Sequence, residues 1–280
     1  MALDLDRRQR AMLEEMHVRV WWPKTEAPVV ARETADRPVT AAVAGAVIAP
    51  IAVQPQEQVA SMARVDSALA QPNGAVDGMD WPTLASTIST CGACKLCLGR
   101  KAPVFNPEAL ARQADWLVVG EPPDEQEERA GAPFAGPSGE LLDNMLRAVL
   151  VARGGAGSAG ARLTNVVKCR PAAVRNPQAE ELATCAQYLR REIALVHPKV
   201  ILAMGRFAAF SLLGTGNPEL TKLPFGKLRG QVYRYQGVPV VVTYHPSRLL
   251  RAPQDKAAAW ADLCLAQSTV ARQASGQSAQ

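Results

Sequence analysis

Four of the six cysteines constrain this chain more than any other feature. Cys91 and Cys94 form a tight Cys-x2-Cys pair, while Cys169 and Cys185 stand alone and far downstream. Thiolates so unevenly spaced meet only if the fold brings remote segments to one point, which suits a single metal site stapling two halves of a domain. Cys169 closes a short apolar run, Thr164-Asn165-Val166-Val167-Lys168-Cys169, that ends in a turn at Arg170-Pro171, and Cys185 falls inside the helical pattern that follows. The first residues, Met1 to Val20, mix Asp, Glu and Arg with Leu and Met and lack the apolar core of a secretory signal. A cytoplasmic, reducing location is therefore expected, where cysteines serve as ligands rather than in disulfides. Cys97 extends the pair to Cys-x2-Cys-x2-Cys, but the further cysteine of a ferredoxin run is missing, so Cys97 reads as a spare. Cys264, beside Trp260 and Leu263, reads as a small buried packing group. On residue types alone the ligated species stays open between an iron–sulfur cluster and tetrahedral Zn²⁺.

Composition divides the chain. Residues 1–23 carry Leu13, Met16 and Val20 at helical spacing before Trp21-Trp22-Pro23, which predicts an amphipathic N-terminal helix. Residues 24–80 are rich in Ala, Val, Pro, Gln and Thr without sustained periodicity and read as a disordered linker. From 81 to 273 apolar strands alternate with amphipathic helices: Trp116–Val119, Gly139–Val151, Leu163–Lys168, Pro177–Val196, Val200–Met204, a helix after Gly205, Val238–Thr243 and Asp255–Ala271. That rhythm predicts an α/β fold, a three-layer α/β/α sandwich around a mainly parallel sheet. Residues 274–280 read as a disordered tail. No apolar stretch is long enough for a bilayer, so no membrane partner is expected, and a hydrophobic content of 48% supplies a core. The net charge of +5 permits a nucleic-acid partner without demanding one.

In open α/β sheets the ligand crevice lies beyond the carboxyl ends of the strands. The residues there are unusually polar. Gly120-Glu121-Pro122-Pro123-Asp124-Glu125-Gln126-Glu127-Glu128 follows the first strand and leads to Gly131-Ala132-Pro133-Phe134-Ala135-Gly136. Asn165 lies near the end of the second, and Tyr244-His245-Pro246-Ser247-Arg248 follows the last. One carboxylate, one aromatic, one amide and one imidazole would converge on one pocket.

Taken in order, these motifs resemble those of the family-four uracil-DNA glycosylases, over roughly Thr83 to Ala266. The resemblance implies a uracil-DNA glycosylase-like sandwich whose four cysteines, Cys91, Cys94, Cys169 and Cys185, hold a [4Fe–4S] cluster of structural purpose. It also implies a monofunctional hydrolase that cuts the N-glycosidic bond of uracil in single-stranded or mismatched DNA, leaving free uracil and an abasic site. The expected substrate site comprises Gly120, Glu121, Pro122, Phe134, Asn165 and His245. An extruded uracil would stack on Phe134, and the Asn165 amide would match both its O4 and its N3–H, a pattern that cytosine reverses. His245 would face the carbonyl oxygen that gains charge as the base leaves. Glu121 would position water near the sugar, with Glu127 as its understudy, and the rest of the acidic run reads as a hydrated loop. Arg229, Ser247, Arg248 and Arg251 are expected to contact DNA, with Leu249 and Leu250 as an apolar wedge.

The family pattern carries Gly or Ala after Gly-Glu and Gly two positions later, where this chain has Pro122 and Asp124. An added carboxylate there would crowd the sugar or repel phosphate. The expectation is uracil release that is reduced, redirected to another deaminated base or limited to single strands. Two readings from other classes stand beside the enzyme. One is a catalytically weakened adaptor that binds uracil-containing or damaged DNA and recruits a protein partner through Trp21 and Trp22. The other is a redox-sensing iron–sulfur protein. A monomer is expected throughout.

Overall fold

A computed structural model of the chain describes residues 76–106, 113–155, 157–172 and 175–275. All of these belong to one compact unit, Arg64–Gln280. The N-terminal helix expected over 1–23, the linker up to residue 75 and the tail from 276 lie outside the described residues. Val76, the first described residue, is already buried in a single turn, Val76–Gly78, five residues before the expected boundary.

Six strands form one sheet in the order β2-β3-β1-β4-β6-β5, where β1 is Ala114–Gly120, β2 Ala152–Arg153, β3 Gly157–Asn165, β4 Val200–Met204, β5 Val232–Tyr235 and β6 Val238–Thr243. Every pairing is parallel except that of the edge hairpin β5–β6. Alternation along β1 shows why helices must cover both faces. Trp116 and Val118 point into one apolar cluster with Leu142, Leu146, Leu263 and Ala266, from helices α3 (Pro137–Ala148) and α7 (Lys256–Ala274). Leu117 and Val119 point into the other with Leu189, Ile193, Ala208 and Leu212, from α4 (Ala179–Val196) and α5 (Arg206–Leu213). All seven residues of β1 are buried, which only a strand covered on both faces achieves. The three-layer sandwich is thus present, completed by α1 (Trp81–Thr90), α2 (Glu125–Ala130) and α6 (Pro246–Arg251). Among the described residues no helix is long and apolar enough to cross a membrane.

Two local expectations are corrected. The acidic run is not a hydrated loop: Glu125–Ala130 is a helix whose N-cap, Asp124, accepts from the backbone N–H groups of Gln126 and Glu127 at 2.8 and 2.9 Å. Glu127 returns a bond to the Asp124 N–H at 2.8 Å, closing a capping box. Cys264 is exposed and Trp260 is 47% exposed, because the inward face of α7 is taken by Ala259, Leu263, Ala266 and Val270. Its expected packing role is therefore withdrawn.

Candidate active site

Strand register brings the first two site residues together, since Gly120 at the end of β1 pairs with Asn165 at the end of β3. Asn165 is 1% exposed, so the direction of its amide matters. Its Nδ2 donates to the Glu121 carbonyl at 2.9 Å and to Glu127 Oε1 at 3.1 Å. Both partners are acceptors, which leaves the amide no alternative orientation. Oδ1 is buried without a hydrogen-bond partner. The expectation that one amide reads both O4 and N3–H of uracil therefore needs revision. Its two N–H groups are committed to the chain, and it offers a ligand a single acceptor.

The two glutamates differ in kind. Glu127 spends both oxygens on the fold: Oε2 accepts from Asp124 N, and Oε1 accepts from Phe134 N at 2.5 Å and from Asn165. Three donors of the chain thus hold this carboxylate, a bracing arrangement unlike the free water-activating carboxylate expected of an understudy to Glu121. Glu121 ends at the start of α5, where Oε1 accepts from the Phe207 N–H at 2.9 Å. Burial pushes its carboxyl up to about 7, and the N–H groups of Phe207 and Arg206 pull only partly back. Gly205 makes this seat possible. Its φ of 97° favours glycine, and a Cβ there would collide with the Glu121 carboxylate.

Phe134 is a non-glycine residue at φ 54°, a left-handed conformation that costs roughly 1–2 kcal/mol and persists only where neighbours impose it. Its ring lies against Gly120, where a Cβ would come within 2.6 Å of Cζ. It also stacks on His245, with centroids 5.3 Å apart and planes inclined by 20°. His245 caps α6: Nδ1 accepts from Ser247 N at 3.3 Å and lies 2.9 Å from Ser247 Oγ. That arrangement places the ring proton on Nε2. Burial, helped by Arg251, lowers the imidazole to about 4, so the ring is neutral at physiological pH, with its one N–H donor on Nε2. The sequence identified Glu121, Phe134, Asn165 and His245, and the fold joins all four through these contacts. Pro122, half-buried in the turn after Glu121, makes no hydrogen bond that bears on the site.

Residues 107–264 match the model of the uracil DNA glycosylase superfamily. The chain belongs to this superfamily. It is 37% identical over 179 residues to a type-4 uracil-DNA glycosylase of Pyrobaculum aerophilum, an alignment covering 62% of this chain and 87% of that one. A type-4 enzyme of Sulfurisphaera tokodaii is 34% identical over 59% of this chain and 74% of its own. One from Thermotoga maritima is 36% identical over 60% and 82%, respectively.

The superfamily match holds the whole pocket and two of the four cysteines, while Cys91 and Cys94 precede it. Cys91, Cys94, Cys169 and Cys185 nevertheless line one cavity with Arg100, Lys168 and Tyr188. Arg100 Nη1 donates to Cys169 Sγ at 2.9 Å, and the Tyr188 hydroxyl to Cys91 Sγ at 3.2 Å. Among the described residues no three Cys, His, Asp or Glu side chains converge tightly enough for one ion. Four thiols around a common cavity are a donor set suited to ligation by thiolate, whether of an iron–sulfur cluster or of tetrahedral zinc.

The expected DNA contacts separate. Arg248 and Arg251 remain exposed on α6, Arg248 pairing with Asp255 at 2.8 Å. Arg229 is instead drawn to the buried Asp262 at 2.8 Å and lies over the Tyr244 ring, and Ser247 is turned to His245. Sequence reasoning also missed Lys168 and Glu192. Lys168 Nζ lies 2.7 Å from Glu192 Oε1 and donates to the Asn165 carbonyl at 2.9 Å, with both side chains buried. A glutamate among Cys185, Tyr188, Leu189 and Ile193 on the buried stripe of α4 was the available signal.

Proposed function

We propose that the chain is a monofunctional uracil-DNA glycosylase that hydrolyses the N-glycosidic bond of uracil in DNA, releasing uracil and leaving an abasic site for base excision repair. The observation that carries this reading is the lone acceptor of Asn165. With both of its N–H groups tied off, a buried Oδ1 accepts from uracil N3–H and repels cytosine, whose N3 is itself an acceptor. A mismatch of that kind costs about 1–3 kcal/mol per unsatisfied group. Buried inside a duplex, a base cannot reach this atom, so it must be extruded and stacked on Phe134.

As the bond from C1′ to N1 breaks, its electron pair moves onto the base and charge gathers on O2. The neutral His245 Nε2–H donates to that oxygen, stabilising the leaving uracil anion without having first to lose a proton. The oxocarbenium-like sugar left behind is favoured by the Glu121 carboxylate, which also receives the proton of the attacking water. No lysine takes part, so water is the nucleophile. Asp124, expected to crowd the sugar, faces its own helix instead, which removes that reason for weak activity or for confinement to single strands. The relatives reported above are named as glycosylases, and no feature of the pocket favours the adaptor.

Cys91, Cys94, Cys169 and Cys185 would hold the [4Fe–4S] cluster, which supplies no chemistry to hydrolysis and ties α4 and the β3 end to the segment after α1. Phosphates would meet Arg248 and Arg251, with the exposed Leu250 entering the vacated stack, whereas Leu249, expected beside it in the wedge, is buried in the core.

Purified protein should release uracil from single-stranded and mismatched oligonucleotides, read as strand scission after alkali. Asn165→Ala should cut single-turnover release by about 10²–10³-fold while keeping the visible absorbance of the cluster. Full activity in that variant would end the pocket assignment.

A further inference from the structure

A guanidinium that none of the motifs contains is wired into the same pocket, and its proposed role rests on the glycosylase reading above. Arg153 lies in the short edge strand β2. Its Nη1 donates to the Pro133 carbonyl at 3.2 Å, and its Nη2 to the Phe134 carbonyl at 3.2 Å and the Gly139 carbonyl at 3.4 Å. Nε is held by Asp143 at 2.8 Å, which fixes the fork in place.

The φ and ψ of a residue are set by the peptide planes before and after it. For Phe134 the preceding plane is held at both ends, its N–H by Glu127 Oε1 and its carbonyl by Arg153. The following plane is held at its carbonyl by the same guanidinium. One anion and one cation therefore clamp the two planes that define a left-handed φ of 54°. That conformation survives only where its surroundings over-determine it. Gly139 leaves no slack behind the clamp, since a Cβ there would strike the Phe134 carbonyl and sit 3.0 Å from Arg153 Nη2. In front, the ring is bounded by Gly120 and His245. Backbone rotation at Phe134 is the remaining freedom that could spoil the stacking surface.

We propose that Arg153 is a positioning residue of the glycosylase, locking both peptide planes around Phe134 so that its ring stands at the angle that receives an extruded uracil. It touches neither base nor sugar. Its effect should therefore appear in base capture and bond cleavage, with little change in binding to ordinary DNA. Lysine can serve one carbonyl at a time and should rescue in part.

The test uses the full chain with its cluster, comparing wild type, Arg153→Lys and Arg153→Ala. Four quantities are read: the single-turnover rate of uracil release, the inhibition constant of free uracil, the affinity for uracil-free single-stranded DNA, and the thermal midpoint. A misplacement of the order of 1 Å costs up to about 10²-fold in rate, so Arg153→Ala should fall about 10- to 100-fold with Lys intermediate. Inhibition by free uracil should weaken in the same order, and DNA affinity should stay within about twofold. Gly139→Ala displaces the same carbonyl sterically while leaving Arg153 intact and should reproduce the pattern, which covers the case of an insoluble Arg153→Ala. The proposal is overturned if Arg153→Ala and Gly139→Ala keep both rate and uracil inhibition near wild type. It is equally overturned if Lys and Ala lose activity alike, in step with the thermal midpoint. A wild type that releases no uracil would sink the glycosylase reading, whereas an active wild type with an indifferent Arg153 sinks this inference alone.

Discussion

In the base pocket the buried polar groups are oriented by other parts of the chain, whereas the cysteine cavity is lined by thiols that burial holds in their protonated form. Asn165 has two acceptors for its two N–H groups, Glu127 has three N–H donors, and His245 Nδ1 has Ser247. Asn165 Oδ1 is left without a partner. Around the cysteines two side chains donate, Arg100 to Cys169 and Tyr188 to Cys91. Burial raises Cys169 and Cys94 and pushes Cys185 up to about 12, so as bare thiols they keep their protons. The proposed cationic cluster would reverse that balance by drawing the protons out, which would make its binding a folding contribution. The pocket is thus organised before its ligand arrives, and the cavity by its ligand. A flipped base is captured briefly and needs a rigid receptor, while the proposed cluster, once resident, would complete its own walls.

The largest effect should come from breaking the cavity. Cys185→Ala should abolish the visible absorbance and lower the thermal midpoint by roughly 10 °C or more, on the scale of about 2–4 °C per kcal/mol for a domain of this size. A variant that keeps its midpoint would show that the fold does not depend on the cluster.

Lys168 comes next, because it belongs to both regions. It lines the cysteine cavity, pairs with Glu192 and donates to the Asn165 carbonyl. Lys168→Met strands the Glu192 carboxylate in the core and should cost about 3–5 kcal/mol, whereas pairing it with Glu192→Met should restore much of the loss. Denaturant titration of the single and double variants measures that coupling. Additive losses would separate the two regions.

Glu121 sharpens the contrast on the pocket side. If its anion favours the developing sugar cation, single-turnover release should fall about tenfold per pH unit below pH 7 and level off above it, because burial holds the carboxyl at about 7. His245, lowered to about 4, stays neutral over that range and adds no second limb until more acid pH. The sign for stability is opposite. The native state keeps a proton that the unfolded chain loses near 4.5, so this group's contribution is present below 4.5 and lost as pH rises through 7. Glu121→Gln should flatten both profiles, and a rising limb that persists in that variant would assign it elsewhere.

What could be read from the chain follows from what has a period or a motif. The alternation of apolar runs located β1, β4 and β6, and the strand-end rule pointed to Glu121, Asn165 and His245 beside the ends of β1, β3 and β6, because both depend on spacing. Arg153 escaped because three of its four partners are backbone carbonyls, which leave no mark in side-chain type. Ser247 was read as a phosphate contact because a serine among arginines looks the same whether it faces DNA or the preceding histidine. Glu127 was legible as a buried acid only through its capping box with Asp124, a pattern hidden inside a run of like charges that resembles solvated loop.

That misreading leads to the smallest test. Asp124 departs from the family's glycine, and as a loop acid it should hinder the sugar, so Asp124→Gly would raise activity. As the N-cap of α2 it does the reverse. Its loss frees the N–H groups of Gln126 and Glu127 and should cost about 0.5–2 kcal/mol for alanine, with glycine only a few tenths worse than native. Because Glu127 is the other half of the box and also holds Phe134 and Asn165, Asp124→Ala should slow release a few-fold while Asp124→Gly stays near wild type. Single-turnover rates on the same oligonucleotide decide between the two accounts. A clear gain in either variant would mean that the carboxylate reaches the sugar after all. A small loss in alanine alone would show that the rigidity of the pocket begins one turn earlier than its contacts with the base.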